Sequence, residues 1–171
     1  FLFFLYLTLI IGFYFSEDSL GGAFDDYKGL FYVSEKFRSD FLSTLLNYNQ
    51  LGHRQSPIFY IFRSLISEIE IIQRLFFLHL YLLIPVFFYL CLKIKYKEIN
   101  NNNLKLLASV LLLFPTFRSY SIWPDPHLLG ILFLTISIYY YLVFKYKSKT
   151  LKNALISSFF LATSAYVSPN F

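Results

Sequence analysis

The chain has 171 residues, of which 57% are hydrophobic, 22% aromatic and only 15% charged, with a mean hydropathy of +0.54 and a formal net charge of +5. Ordinary globular domains are roughly 45–50% apolar and about 25% charged, so composition favours a lipid-facing chain over a soluble core. The lone cysteine, Cys91, excludes an internal disulfide framework, and no zinc or haem spacing is present.

The opening run Phe1–Phe15 reads as the tail of a membrane span. The chain contains no Met and starts and stops inside apolar runs, so it is expected to be a piece of a longer protein. The stretch "FYFSEDSLGGAFDDYKGL", Phe13 to Leu30, then places four acidic residues and a Gly-Gly pair just beyond the apolar run. Adjacent carboxylates repel, which suits one of Asp25 and Asp26 to a proton-accepting role, or the pair to a cation that meets a phosphate. Gly21-Gly22 permits close approach of backbone to a ligand, and Tyr27 follows directly. A solvated acidic turn is the plain alternative.

Next, Leu30, Val33, Phe37, Phe41 and Leu45 fall at three- and four-residue spacing, the stripe of an amphipathic helix. "GHRQSPIFY", Gly52 to Tyr60, sets His53 and Arg54 before Ser56-Pro57 and an apolar re-entry. Arg54 offers a fork of donors for a phosphate, and the pair could equally touch lipid headgroups. A second amphipathic helix is expected over Ile61–Leu75, with Arg63 and Arg74 on its exposed face. Helices of this kind lie in the membrane interface.

Crossing about 30 Å of hydrocarbon takes about 20 residues of helix. Leu75–Leu92, with Pro85 as a kink, and His127–Phe144 satisfy that length. Leu104–Phe117 is short and closed by Pro115, and Ala154–Val167 reads as a further span. "KIKYKEINNNNLK" and "KYKSKTLK" follow the two long spans and hold eight of the fifteen Lys and Arg. This is a topology pattern and no nucleic-acid signal: both stretches should be cytoplasmic. Two cytoplasmic loops need an even number of crossings between them, so 104–117 must go out and 127–144 come back. The Asn100–Asn103 run reads as a solvated linker. The same parity puts residues 16–74 and 118–125 outside, with every acidic residue except Glu98.

"FRSYSIWPDPH", Phe117 to His127, gathers Arg118, Trp123, Asp125 and His127 between two spans. Polar groups at span ends face a cavity or one another. Arg118 at the end of a broken helix fits an anion site, Asp125 a substrate contact, and Trp123 an interface anchor. Asp25, Asp26 and Arg118 are expected to look into one cavity at the outer leaflet.

The order of these parts resembles the GT-C membrane glycosyltransferases, nearest to the protein-mannosyltransferase-like and lipid A aminoarabinose-transferase-like types. The matching features are the acidic pair after the first span, the interface helices, the "SPIFY" re-entry and the external turn "FRSYSIWPDP". The resemblance implies an all-α polytopic bundle, residues 1–171 being the front of its catalytic domain. It implies inverting transfer of a sugar from a polyprenyl-phosphate donor to a hydroxyl of a glycan, lipid or protein, on the non-cytoplasmic face of a bacterial plasma membrane. Asp25 or Asp26 would be the base, and Tyr27, His53, Arg54, Arg118 and Asp125 would hold the substrate. No cofactor is required, although a divalent metal would suit the acidic pair. A transporter or flippase, or a polymerase or ligase, of lipid-linked sugars is the alternative. Transport would favour charges at mid-span, and within Leu75–Leu92 and His127–Phe144 only His79 comes close.

Overall fold

The structure is a computed structural model, and it describes residues 2–19, 21–52 and 56–168. Those residues form helices and connecting turns with no strand among them. The helices are α1 (Leu2–Tyr14), α2 (Ala23–Ser39), α3 (Phe41–Leu46), α4 (Ile58–Ser64), α5 (Glu70–Tyr81), α6 (Leu83–Lys95), α7 (Asn101–Ser109), α8 (Pro115–Ile122), α9 (Pro126–Tyr146) and α10 (Leu151–Val167).

Two stretches are long and apolar enough to cross a membrane: Glu70–Lys95 and Pro126–Tyr146. The first comprises α5 and α6, with a break at Leu82. Pro85 explains the break, because its ring crowds the Tyr81 carbonyl and it has no N–H to donate to it. Each apolar window has 28% of its residues buried, and the rest are half-buried or exposed, so neither helix is enclosed on all sides. A central helix of a soluble core would be covered all round.

The long helices run parallel. At one end Lys95 Nζ donates to Tyr146 Oη at 3.1 Å, and Lys145 lies 5.4 Å from the same tyrosine ring. Between them the chain travels back: α7 packs Leu104 and Ala108 on Leu92, and α8 brings the Ile122 carbonyl to Arg74 Nε at 3.0 Å. The return is not the single helix expected over 104–117. A 3-10 turn (110–113) follows α7, and Phe114 is extended because Pro115 disfavours a helical residue before it. Pro115 then starts α8. The Asn run expected as a linker also differs, since Asn100 caps α7 and residues 101–103 are its first turn.

Helix α1 lies antiparallel to α5, with Tyr6 Oη against His79 Nε2 at 3.0 Å and the Phe13 ring 4.8 Å from the Arg74 guanidinium. Helices α9 and α10 form an antiparallel hairpin on a small-residue seam. Ser137 Oγ donates to the Ser157 carbonyl at 2.7 Å, Ser157 Oγ to the Ser137 carbonyl at 3.0 Å, and Ser164 Oγ to the Gly130 carbonyl at 2.7 Å. The contacts step seven residues along each helix, and small side chains let the backbones approach.

The amphipathic segments differ from expectation in three ways. Leu30, Val33 and Phe37 are buried on α2, but Phe41 and Leu45 are exposed, because the helix ends at Ser39 and Asp40 caps α3 through the Ser43 N–H. The helix expected over Ile61–Leu75 is interrupted between Ser64 and Glu70. Arg38 holds that turn, its Nε donating to the Ser64 carbonyl at 3.1 Å and its Nη2 to the Ser67 carbonyl. Finally, Arg63 and Arg74 are buried, not exposed. Arg63 stacks on Tyr27 and Phe31 at 4.3 and 5.0 Å, and Arg74 on Trp123 at 3.6 Å. Aromatic faces from α2 and the α8–α9 turn attract the guanidinium planes inward.

Candidate functional site

The end of the bundle opposite the lysines is built from the turn after α1, the first turn of α2 and the α8–α9 turn. Asp18 organises the first two. Its carboxylate accepts from the N–H groups of Gly21, Gly22 and Phe24 at 3.0, 2.9 and 3.3 Å. Burial acts to raise the pKa of Asp18, yet these backbone donors outweigh it and hold the carboxyl below its usual range. Gly21 and Gly22 have φ of +75° and +146°, and a Cβ at either would meet nothing within 4 Å. The glycines are therefore required by backbone conformation.

Asp25 and Asp26 lie on the exposed side of the first turn of α2, where the helix dipole favours carboxylates. Asp25 pairs with Lys28 at 3.4 Å, with both side chains well exposed. Asp26 stands on the same turn, which packs on the α8–α9 turn through Phe24 and Trp123, their ring centroids 4.5 Å apart. Tyr27 points the other way. It is buried beneath Arg63, its ring 5.4 Å from that of Trp123, and its hydroxyl has no hydrogen-bond partner among the described residues. Burial pushes its pKa up to about 12.

Arg118 does not face the aspartate pair. Its Nε donates to Glu17 Oε1 at 2.7 Å, and its Nη2 to Glu17 Oε2 and to the Thr8 carbonyl at 3.1 Å. Its Nη1 lies 3.3 Å from Thr8 Oγ1 and 3.5 Å from the Leu112 carbonyl. The guanidinium is thus engaged in joining α8 to α1 through Glu17 and Thr8, and its hydrogen bonds go to neither member of the Asp25-Asp26 pair. The Arg118 hydrogen bond is the largest influence on Glu17; against the opposing effect of burial, it holds that carboxyl below its usual range. Gly12 makes room for the pair: a Cβ there would overlap the Glu17 carboxylate and lie 2.9 Å from Arg118 Nη2. Trp123 is no simple interface anchor, since it is buried with its Nε1 donating to the Glu17 carbonyl at 3.2 Å.

Asp125 is the buried acid of this end, its side chain 6% exposed. It caps α9, accepting from the His127 N–H at 2.7 Å, and the same Oδ1 meets His127 Nδ1 at 2.6 Å. Its carbonyl accepts from Tyr81 Oη at 2.9 Å. The His127 ring stacks on Tyr120 with centroids 6.3 Å apart and planes 17° from parallel.

Of the residues expected at the site, Asp25 and Asp26 stand exposed on the first turn of α2 and Asp125 is buried at the start of α9, while Tyr27 and Arg118 are taken up by packing and an ion pair. His53 and Arg54 lie outside the described residues. His127, Glu17 and Tyr120 are the additions. The Asp-Pro-His order was the visible signal for the first, since an aspartate cap two positions before a histidine brings their side chains together. No group of three or more His, Cys, Asp or Glu side chains placed to hold a metal occurs among the described residues.

No protein family, curated protein or solved structure matches the chain.

Proposed function

We propose that the chain is part of a multi-pass membrane glycosyltransferase that works at the non-cytoplasmic face. The two long helices, the returning segment 101–122, α1 and α10 would all cross the bilayer, with the Lys-rich ends in the cytoplasm. The donor is a sugar on a polyprenyl phosphate, and the acceptor is a hydroxyl of a glycan, lipid or protein. The observation that carries the reading is the sorting of charge. Glu17, Asp18, Asp26 and Asp125 collect at the end opposite Lys95 and Lys145, with His127 among them.

Glycosyl transfer needs a group to receive the acceptor's proton and a setting that tolerates charge leaving on the lipid phosphate. Asp25 and Asp26 supply negative charge in water at the mouth of the bundle, where an acceptor hydroxyl would arrive. Because Arg118 is engaged by Glu17, the cation that meets the phosphate falls to Arg54 in this reading. The test uses the full-length protein in membrane vesicles with Asp25→Asn and Asp26→Asn combined. Transfer from polyprenyl-phosphate sugars should be lost while membrane insertion is unchanged. Undiminished transfer by the double variant would overturn the role given to Asp25 and Asp26, and absence of transfer by the unaltered protein would leave transport of lipid-linked sugars as the better account.

A further inference from the structure

The Asp125–His127 pair is more than a helix cap. A cap requires only that the Asp125 carboxylate accept the His127 N–H, yet the same Oδ1 also meets the ring nitrogen Nδ1 at 2.6 Å. A contact that short to a carboxylate puts the ring proton on Nδ1 and leaves the lone pair on Nε2. Three further contacts fix the geometry. Tyr81 Oη ties down the Asp125 carbonyl at 2.9 Å, Tyr120 backs the ring, and Asp125 itself is buried. The histidine side chain is 32% exposed, and no described residue partners Nε2. Asp26, exposed on the first turn of α2, is a further carboxylate at this end of the bundle.

We propose that His127 is the proton acceptor of the site, with Asp125 as its positioning residue. The proposal rests on the glycosyl-transfer reading and moves one role within it. A general base works best when its pKa lies near the operating pH. An ordinary histidine lies at about 6.5 and an ordinary aspartate at about 3.9, so the imidazole is the better matched group. The acceptor oxygen bonds to the anomeric carbon as its proton passes to Nε2. The carbon–oxygen bond to the lipid phosphate breaks, and its electron pair leaves on the phosphate oxygen. The products are the glycosylated acceptor, a polyprenyl phosphate with one more negative charge, and an imidazolium. Asp125, bonded to that ring, offsets the new positive charge at close range and Asp26 on α2 adds to it from further off, while Tyr120 is the remaining titratable neighbour.

The test is sugar transfer by the full-length protein in proteoliposomes. Radiolabelled polyprenyl-phosphate hexoses and pentoses serve as donors and a mixed envelope extract as acceptor. His127→Gln should lower turnover by about 10²- to 10⁴-fold, and His127→Ala should regain transfer when imidazole is added. Asp125→Asn should keep part of the activity with an altered pH profile, which a purely structural role would not produce. Should the variants fail to fold, carbethoxylation of the unaltered protein supplies the answer: it should label His127 and stop transfer, and hydroxylamine should restore it. Transfer within twofold of normal in His127→Gln, or full transfer with His127 labelled, overturns this proposal alone. Absence of transfer by the unaltered protein overturns the function it rests on.

Discussion

Arg118 closes on Glu17 across 101 positions of sequence, with Nε to Oε1 at 2.7 Å and a second hydrogen bond from Nη2. The pair is mostly covered, the side chains being 13% and 27% exposed, so water screens it less than a surface ion pair. It joins the end of α1 to α8 and holds the turn from which Asp18 starts α2. Replacing Arg118 by Met should cost about 1.5–3 kcal/mol, the range for a hydrogen bond to a charged group. Lys should not rescue it, because a point charge cannot serve both carboxylate oxygens and the Thr8 carbonyl together. Thermal melts in detergent would measure this.

The same pair gives stability a pH dependence of defined sign. Glu17 titrates lower in the folded chain than in the unfolded one. Its contribution is therefore fully present above the unfolded value of about 4.3 and is lost as pH falls through the depressed folded value. Melting temperatures recorded from neutral to acid pH should fall in that window in the unaltered protein. In Arg118→Met that part of the fall should disappear.

Gly12 has no Cβ because the ion pair occupies its place. Gly12→Ala pushes Glu17 and Arg118 apart and should cost about 1–3 kcal/mol, as overpacking does. It should not add to Arg118→Met, since both act through one contact. Full additivity in the double variant would show that the crowding is relieved elsewhere.

The buried Arg63 makes a contrasting prediction. Its Nε donates to Gln73 at 2.9 Å, while Nη1 and Nη2 have no hydrogen-bond partner among the described residues. Burial chiefly lowers its pKa, so the charge sits at a cost in this core. Arg63→Met keeps the volume and removes the charge, and should leave stability within about 1 kcal/mol or raise it. Gln73→Leu orphans the remaining nitrogen and should destabilise by about 1–3 kcal/mol.

The α9–α10 seam predicts a cross-link. Ser137 and Ser157 have hydroxyl oxygens 3.2 Å apart, so cysteines at both positions should oxidise to an intramolecular disulfide. Combining Ser137→Cys with Leu155→Cys, an exposed position, should not. A mobility shift on a non-reducing gel separates the two.

These relationships differ in how far residue order reveals them. The long helices were legible from apolar runs, and their polarity from the two lysine stretches. The break at Phe114 was visible in Pro115. Burial of Arg63 and Arg74 was not, because helical periodicity assigns an arginine to the wet face. What draws these two inward is aromatic surface from Tyr27, Phe31, Phe13 and Trp123, far away in sequence. Glu17 looked like one acid among four, and only folding shows that it, not the aspartate pair, receives Arg118. Asp25 and Asp26 drew the eye by adjacency, yet helix-dipole stabilisation of two carboxylates explains much of their placement. Asp125 and His127, two positions apart around a proline, carried the more specific geometry in fewer letters. The seven-residue spacing of Gly130 and Ser137, and of Ser157 and Ser164, was present in the order but submerged in an apolar background.

The central claim is that the acidic end and the lysine end lie on opposite faces of a membrane. Single cysteines at Ser19 and Ser148, both exposed, can be introduced with Cys91 replaced by Ser. A membrane-impermeant maleimide added to intact cells should label position 19, and label position 148 only after the membrane is opened. Labelling of both positions from outside, or of position 148 alone, would contradict the account.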